Sequence, residues 1–202
     1  LLLGTIVSAL IFGALLENYT HARLVQVIQG SAVATLVLNI AALWKQETRR
    51  PLRGAPPPPQ PAFAEAWAAF RNTEGALRRL FAVGVGTMAF SMQDVLLEPY
   101  GGQVLNLTVA ATTTLTATLA VGGLLGFAWA SKVLSRGSDP FKMACLGAIV
   151  GIPAFLAVIS AASIHSSIVF GFGALFVGFG GGLFSHGTLT ATMNFAPEKY
   201  HG

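Results

Sequence analysis

The chain has 202 residues, a formal net charge of +4 and hydrophobic side chains at 53% of its positions. Charged residues make up only 10% of the sequence, too few to cover the outer faces of soluble helices. No basic patch interleaved with aromatic residues is present, which argues against nucleic acid as a partner. The single cysteine excludes a disulfide framework and a Cys-x-x-Cys metal site.

Six long apolar segments follow one another along the chain. Most reach the ~20 residues that a helix needs to cross ~30 Å of hydrocarbon. Because backbone groups in lipid must be bonded internally, we predict helices. The segments are Leu1–Leu16, Leu24–Trp44, Leu80–Leu97, Leu105–Ser131, Met143–Ile164 and Ile168–Ala196. The predicted fold class is an all-α polytopic membrane protein with about six transmembrane helices.

The basic residues indicate the orientation of these segments. Eleven of the twelve Lys and Arg residues fall in alternate loops on one side of the membrane, and Arg23 alone lies on the other side. Loops rich in Lys and Arg are retained on the cytoplasmic side of membrane proteins. We therefore expect both ends of this chain to be cytoplasmic.

A polar and then proline-rich stretch, KQETRRPLRGAPPPPQPA at 45–62, separates the second and third segments. Four consecutive prolines cannot continue a helix and favour a stiff, extended spacer. The pattern predicts two transmembrane segments in residues 1–44, a cytoplasmic linker at 45–76 and four further segments in 77–202.

Three aromatic residues, Phe63, Trp67 and Phe70, follow the prolines at helical spacing, and Glu65 and Arg71 lie off that stripe. This arrangement predicts a short amphipathic helix within the linker. We expect it to lie at the cytoplasmic interface of the membrane.

Segment three has polar side chains along one helical face. Thr87, Ser91, Asp94 and Glu98 are spaced four, three and four residues apart. Asp94 lies about 21 Å along the helix from Leu80, in the outer half of the bilayer. A carboxylate there costs roughly 2.5–3.5 kcal/mol unless it is paired, hydrated or protonated. One interpretation is a functional site; the alternative is that Glu98 is interfacial and Asp94 pairs with or caps another helix.

Segment six has a second polar stripe, in which His186, Thr190 and Asn194 recur every four residues. A neutral imidazole can ligate a metal, including the magnesium of a chlorin, or take part in a proton relay. The alternative is a structural histidine that is hydrogen-bonded within the bundle.

Glycines and one proline predict packing features. Three Gly-x-x-x-Gly pairs should let partner helices approach closely. They are Gly122 with Gly126, Gly147 with Gly151, and Gly178 with Gly182. Pro99, followed by Gly101 and Gly102, is expected to end or break the third helix.

Two runs resemble one family. SMQDVLLEPYGGQVL at 91–105 and GGGLFSHGTLTATM at 180–193 are similar to the PucC-type, or bacteriochlorophyll-delivery, branch of the major facilitator superfamily. The resemblance implies a twelve-helix bundle in two halves, of which this chain resembles helices five to ten. It also implies that Asp94 and His186 face inward. Together with the two polar stripes, this leads us to expect that Gln93, Asp94, Glu98 and His186 approach one polar cavity or pigment-facing surface.

The resemblance implies a membrane assembly factor for light-harvesting complexes in a bacterial inner membrane. Expected partners are antenna polypeptides, the reaction centre–antenna complex and bacteriochlorophyll, either bound or transiently carried. No Walker loop or Ser-His-Asp order is evident, so we expect no enzyme. The alternative is a proton-coupled secondary transporter or a porphyrin or lipid flippase. The loop at 126–142 has Lys132 where the superfamily's gating motif has an acid, which favours the assembly factor.

Overall fold

The structure, a computed structural model, describes residues 2–44 and 62–194. The prediction of an extended proline-rich spacer falls on 45–61 and lies outside the described residues. Within the described ranges the chain forms seven helices and no strand. They are α1 (Leu2–Leu15), α2 (His21–Trp44), α3 (Phe63–Asn72), α4 (Ala76–Gln103), α5 (Val109–Leu134), α6 (Pro140–Ser163) and α7 (Ser167–Asn194).

Five of these helices, α2 and α4 to α7, are long and apolar enough to cross a membrane. The apolar helix α1 has 14 residues and is therefore shorter, about 21 Å at 1.5 Å per residue. The prediction of an all-α polytopic membrane protein is confirmed. Helix α3 occupies the segment for which an amphipathic helix was predicted, and its place at a membrane interface stays a prediction.

The predicted end of the third segment near Pro99 is wrong. Helix α4 continues through Pro99 and ends at Gln103. A proline inside a helix removes one backbone hydrogen bond, to the carbonyl four residues before it, and crowds that turn. Here the disturbance falls in the last two turns of the helix. Beyond it, Gly101 packs closely beneath the ring of Phe170, where an added Cβ would lie 3.1 Å from a ring carbon.

The chain divides into two compact units, Thr20–Ala82 and a larger one made of Leu1–Tyr19 with Val83–Gly202. The first contains α2, none of whose residues is buried, and α3. In α3 the ring of Trp67 stacks on those of Phe63 and Phe70, with centroid distances of 6.4 and 5.7 Å. The aromatic side chains therefore form one ridge along this short helix.

Helix α7 is the centre of the larger unit, and eleven of its 28 residues are buried. It packs along α5 on one side and α6 on the other, whereas α5 and α6 barely touch each other. Glycines on α7 meet backbone atoms of both neighbours, so the predicted close approach at the glycine pairs is confirmed. A Cβ on Gly178 would overlap the carbonyl oxygen of Leu119, and one on Gly147 would lie 2.6 Å from that of Gly180.

Within this unit, helix α4 packs on its neighbours through side chains, mainly aromatic rings, instead of through close contacts between backbones. The ring of Phe90 lies 5.4 Å from that of Phe184 and 6.3 Å from that of Phe155, measured between centroids. Near the other end of α4, the Tyr100 hydroxyl donates a hydrogen bond of 3.1 Å to the carbonyl oxygen of Ile159. Rings hold two helices farther apart than glycines do. The two packing modes therefore leave α4 standing off from α5 and α7.

Candidate functional site

A cavity of about 370 Å³ opens where α4 stands off from α5 and α7, with the start of α1 as its fourth side. All of it lies within the larger unit. The lining is mainly glycine, phenylalanine and other apolar residues, with polar side chains concentrated on α4. The α4 residues are Thr87, Phe90, Ser91, Gln93 and Asp94. The cavity is at the lower end of the 300–1,000 Å³ range of small-molecule pockets.

Gln93 and Asp94 both lie on the cavity wall. The Oε1 atom of Gln93 is buried and has no hydrogen-bond partner among the described residues. Leaving a buried acceptor unpaired costs about 1–3 kcal/mol. Asp94 is more exposed, and in the described part of the chain it has neither an ion pair nor a hydrogen bond. Two neighbouring polar groups are thus available to a molecule in the cavity.

Glu98 lies one helical turn beyond Asp94 and is not part of the wall. Its Oε1 atom accepts a hydrogen bond of 2.6 Å from the hydroxyl of Thr116, which does line the cavity. Other α5 threonines bond to carbonyl groups of their own helix, as Thr113 does to Val109 at 2.8 Å. The Thr116 hydroxyl therefore differs from its neighbours, because it links α5 to α4.

Replacing Thr116 with valine is expected to destabilise the protein by about 1 kcal/mol, because Glu98 loses a hydrogen bond and the shape is kept. Thr113→Val is the matched control and should cost less, since its hydroxyl bonds only within α5. Thermal unfolding in detergent would measure both variants. Equal stability of the two would contradict a structural link between Thr116 and Glu98.

His186 is also outside the wall, but it touches a residue that belongs to it. Its ring centroid lies 4.2 Å from that of Phe127, with an angle of 59° between the planes. The Nδ1 atom is buried and has no hydrogen-bond partner among the described residues. The next polar residue of this stripe, Thr190, donates its hydroxyl hydrogen to the His186 carbonyl oxygen at 2.9 Å. Of the polar stripe on α7, the Thr190 hydroxyl therefore has a hydrogen-bond partner within its own helix, whereas the Nδ1 atom of His186 has none among the described residues.

The structure thus places Gln93 and Asp94 together on the cavity wall. Glu98 and His186 do not line the cavity, but each contacts a residue that does. The wall also contains residues that the sequence did not single out as site residues, Phe127, Gly123 and Gly181. Apolar residues in a membrane helix give no signal of which ones line a cavity. No group of three His, Cys, Asp or Glu side chains within 2–44 and 62–194 could hold a metal ion.

Comparisons with a family model and with known proteins all indicate the same family. The model of the family described as PUCC protein matches residues 1–202. The chain is 56% identical to Protein PucC of Rhodovulum sulfidophilum, over all of the chain and 45% of that protein. It is 52% identical to Protein PucC of Cereibacter sphaeroides, over all of the chain and 44% of that protein. No solved structure matches the chain.

A more distant relative is the "Bacteriochlorophyll synthase 44.5 kDa chain" of Rhodobacter capsulatus, 26% identical over 98% of the chain and 46% of that protein. The chain spans less than half the length of each of these relatives. Five helices of spanning length and relatives from bacteria make it a multi-pass bacterial membrane protein. With a family match along its whole length, the chain belongs to the PUCC protein family.

Proposed function

We propose that this chain is part of a membrane assembly factor for bacterial light-harvesting complexes, which delivers or shields bacteriochlorophyll and docks antenna polypeptides. Membership in the PUCC protein family supports this role. The name of the distant relative refers to the same pigment. The sequence has no catalytic constellation, so we propose that the protein acts by binding and not by catalysis.

The fit of bacteriochlorophyll to the site depends on size and on unpaired polar atoms. The pigment is a planar magnesium tetrapyrrole with a long isoprenoid ester tail, and it absorbs light when bound. The cavity, at about 370 Å³, is too small to enclose the whole molecule but large enough for part of it. The unpaired Oε1 atom of Gln93 and the carboxylate of Asp94 would contact that part.

The four predicted site residues have two different roles in this proposal. Gln93 and Asp94 touch the ligand. Glu98 positions Thr116 through their hydrogen bond, and His186 positions the ring of Phe127. The single observation that carries the proposal is the pair of neighbouring polar side chains on α4 that lack partners in the described residues and lie on one cavity wall.

The same unpaired carboxylate supports a second candidate function. Asp94 could take up and release a proton in a coupled secondary transporter, or in a flippase for porphyrins or lipids. The loop at 126–142, with Lys132 in place of an acid, favours the assembly factor. The relation to the major facilitator superfamily remains a prediction.

Purification from photosynthetically grown cells tests the proposal. We expect the tagged full-length protein to carry antenna polypeptides and the near-infrared absorption of bacteriochlorophyll. An unrelated multi-pass protein with the same tag, purified from the same cells, is the control. A colourless protein that elutes alone and drives proton-dependent uptake of a solute into liposomes would contradict the assembly role and favour the transporter.

A further inference from the structure

The glycines that line the cavity are of two kinds. A Cβ on Gly178 or Gly182 would overlap a carbonyl oxygen of α5, that of Leu119 or of Gly123. These two glycines are required for the packing of α7 on α5. Gly123 and Gly181 are different, because no backbone atom of a partner helix would lie closer than 3.7 Å to a Cβ on either. The nearest atom to a Cβ on Gly123 would be the Gly178 carbonyl oxygen, at an ordinary contact distance of 3.7 Å.

At Gly181 the nearest atom to an added Cβ is a ring carbon of Phe90, at 3.3 Å, and no backbone atom of a partner helix is among the nearest. A side chain longer than methyl on Gly123 would therefore extend into the cavity that this residue lines, and one on Gly181 would press against the ring of Phe90 on the same wall. Helix packing does not require glycine at these two positions. Their effect is to keep the cavity open.

The wall between these glycines is smooth and apolar. The backbone of Gly123 and Gly181 and the rings of Phe90, Phe127 and Phe184 all contribute to it. Such a surface suits a hydrocarbon chain, which gains contact area without needing hydrogen bonds. A volume of about 370 Å³ fits one chain and is too small for a tetrapyrrole ring system together with its tail.

The polar groups of α4 define what the end of such a chain should be. The Asp94 carboxylate, when ionised, only accepts hydrogen bonds, and the unpaired Gln93 atom is also an acceptor. A hydroxyl group donates one hydrogen bond and satisfies either of them. A second carboxylate or a phosphate would be repelled by Asp94. A neutral hydrogen-bond donor such as an alcohol therefore suits this end of the cavity.

We propose that the cavity binds a single hydrocarbon chain ending in a hydroxyl group, with the chain along Gly123 and Gly181 and the hydroxyl at Gln93 and Asp94. This deepens the proposed function and rests on it in one respect, since an isoprenoid alcohol is the chemical class that forms the pigment's ester tail. A straight-chain alcohol derived from membrane lipid has the same chemistry, and the experiment separates the two sources.

Photo-crosslinking of the purified full-length protein tests this site. The probes are geranylgeraniol and hexadecanol, each carrying a diazirine and an alkyne. We expect one probe to label α4, α5 or α7 peptides of the cavity wall, with competition by the unmodified alcohol. Gly123→Leu fills the cavity and should reduce this labelling about tenfold or more. Gly171→Leu is the matched control, because a Cβ on Gly171 meets nothing within 4 Å and the residue is not on the wall.

Preferential labelling by geranylgeraniol would assign the chain to an isoprenoid source, and preferential labelling by hexadecanol to membrane lipid. Labelling confined to peptides away from the wall would overturn the site, whether or not Gly123→Leu folds. Equal labelling of wild type and a folded Gly123→Leu protein would also overturn it. Co-purification of antenna polypeptides and pigment without wall labelling would leave the proposed function standing and remove only this site. Labelling of the wall without co-purification of antenna polypeptides and pigment would support this site and count against the proposed function.

Discussion

Replacing Gly178 with alanine is expected to unfold the helix bundle or to separate α7 from α5. The added Cβ would overlap the carbonyl oxygen of Leu119, which is a backbone atom and cannot move away as a flexible side chain could. Overpacking in a well-packed core typically costs about 1–3 kcal/mol, and we expect the upper end or more here. Alanine is intrinsically more favourable than glycine in a helix by roughly 1 kcal/mol. Without the overlap the substitution would therefore stabilise the protein, so a loss of stability indicates that the overlap is real.

Thermal unfolding and detergent gel filtration of the full-length protein would measure this effect. Gly171→Ala, on the same helix, is the matched control, since its Cβ meets nothing within 4 Å. We expect the control to be as stable as wild type or slightly more so. A Gly178→Ala protein as stable as the control would contradict the close packing of α7 on α5.

Replacing Asp94 with asparagine is expected to lower the amount of assembled antenna complexes about tenfold, while the amount of the protein itself stays unchanged. Hydrogen bonds to charged groups are worth about 1.5–3 kcal/mol, and a loss of 1.4 kcal/mol is already tenfold in affinity. Asp94 has no partner among the described residues, so the fold should not depend on its charge.

Near-infrared absorption of membranes from photosynthetically grown cells would measure the antenna complexes, and immunoblotting would measure the protein. Glu65→Gln is the control, because it is the same kind of change on an exposed residue of α3 that does not line the cavity. Wild-type antenna levels in the Asp94→Asn strain would count against a ligand contact by this carboxylate. Loss of the protein itself would instead show that Asp94 has a structural role.

The sequence predicted the helices well because apolar length is a strong signal. The third helix shows the limit of that signal. Pro99 was expected to end it, but α4 continues to Gln103, since one proline near the end of a helix costs a single backbone hydrogen bond and local crowding. The glycine pairs predicted close approach correctly. They could not indicate that α7 is the common partner of α5 and α6, because the spacing within one helix carries no information about its neighbour.

The polar face of α4 was visible in the sequence, and the structure places Gln93 and Asp94 of that region on a cavity wall. Sequence spacing could not show that the Thr116 hydroxyl reaches Glu98 while other α5 threonines bond within their own helix. Nor could it separate Gly123, where a Cβ would make only an ordinary contact of 3.7 Å, from its neighbour Gly122, whose Cβ would overlap the backbone of α7. Adjacent identical residues differ here only in the direction they face.

The central position of α7 has a consequence for the biogenesis of the protein. Helices α5 and α6 barely touch each other. Gly122 and Gly126 on α5 and Gly147 on α6 meet the backbone of α7, which is synthesised after both. Until α7 enters the membrane, these two faces lack the helix against which they pack. Insertion of α7 should then close both interfaces together, so α5 and α6 are joined through their shared neighbour only after α7 has been synthesised.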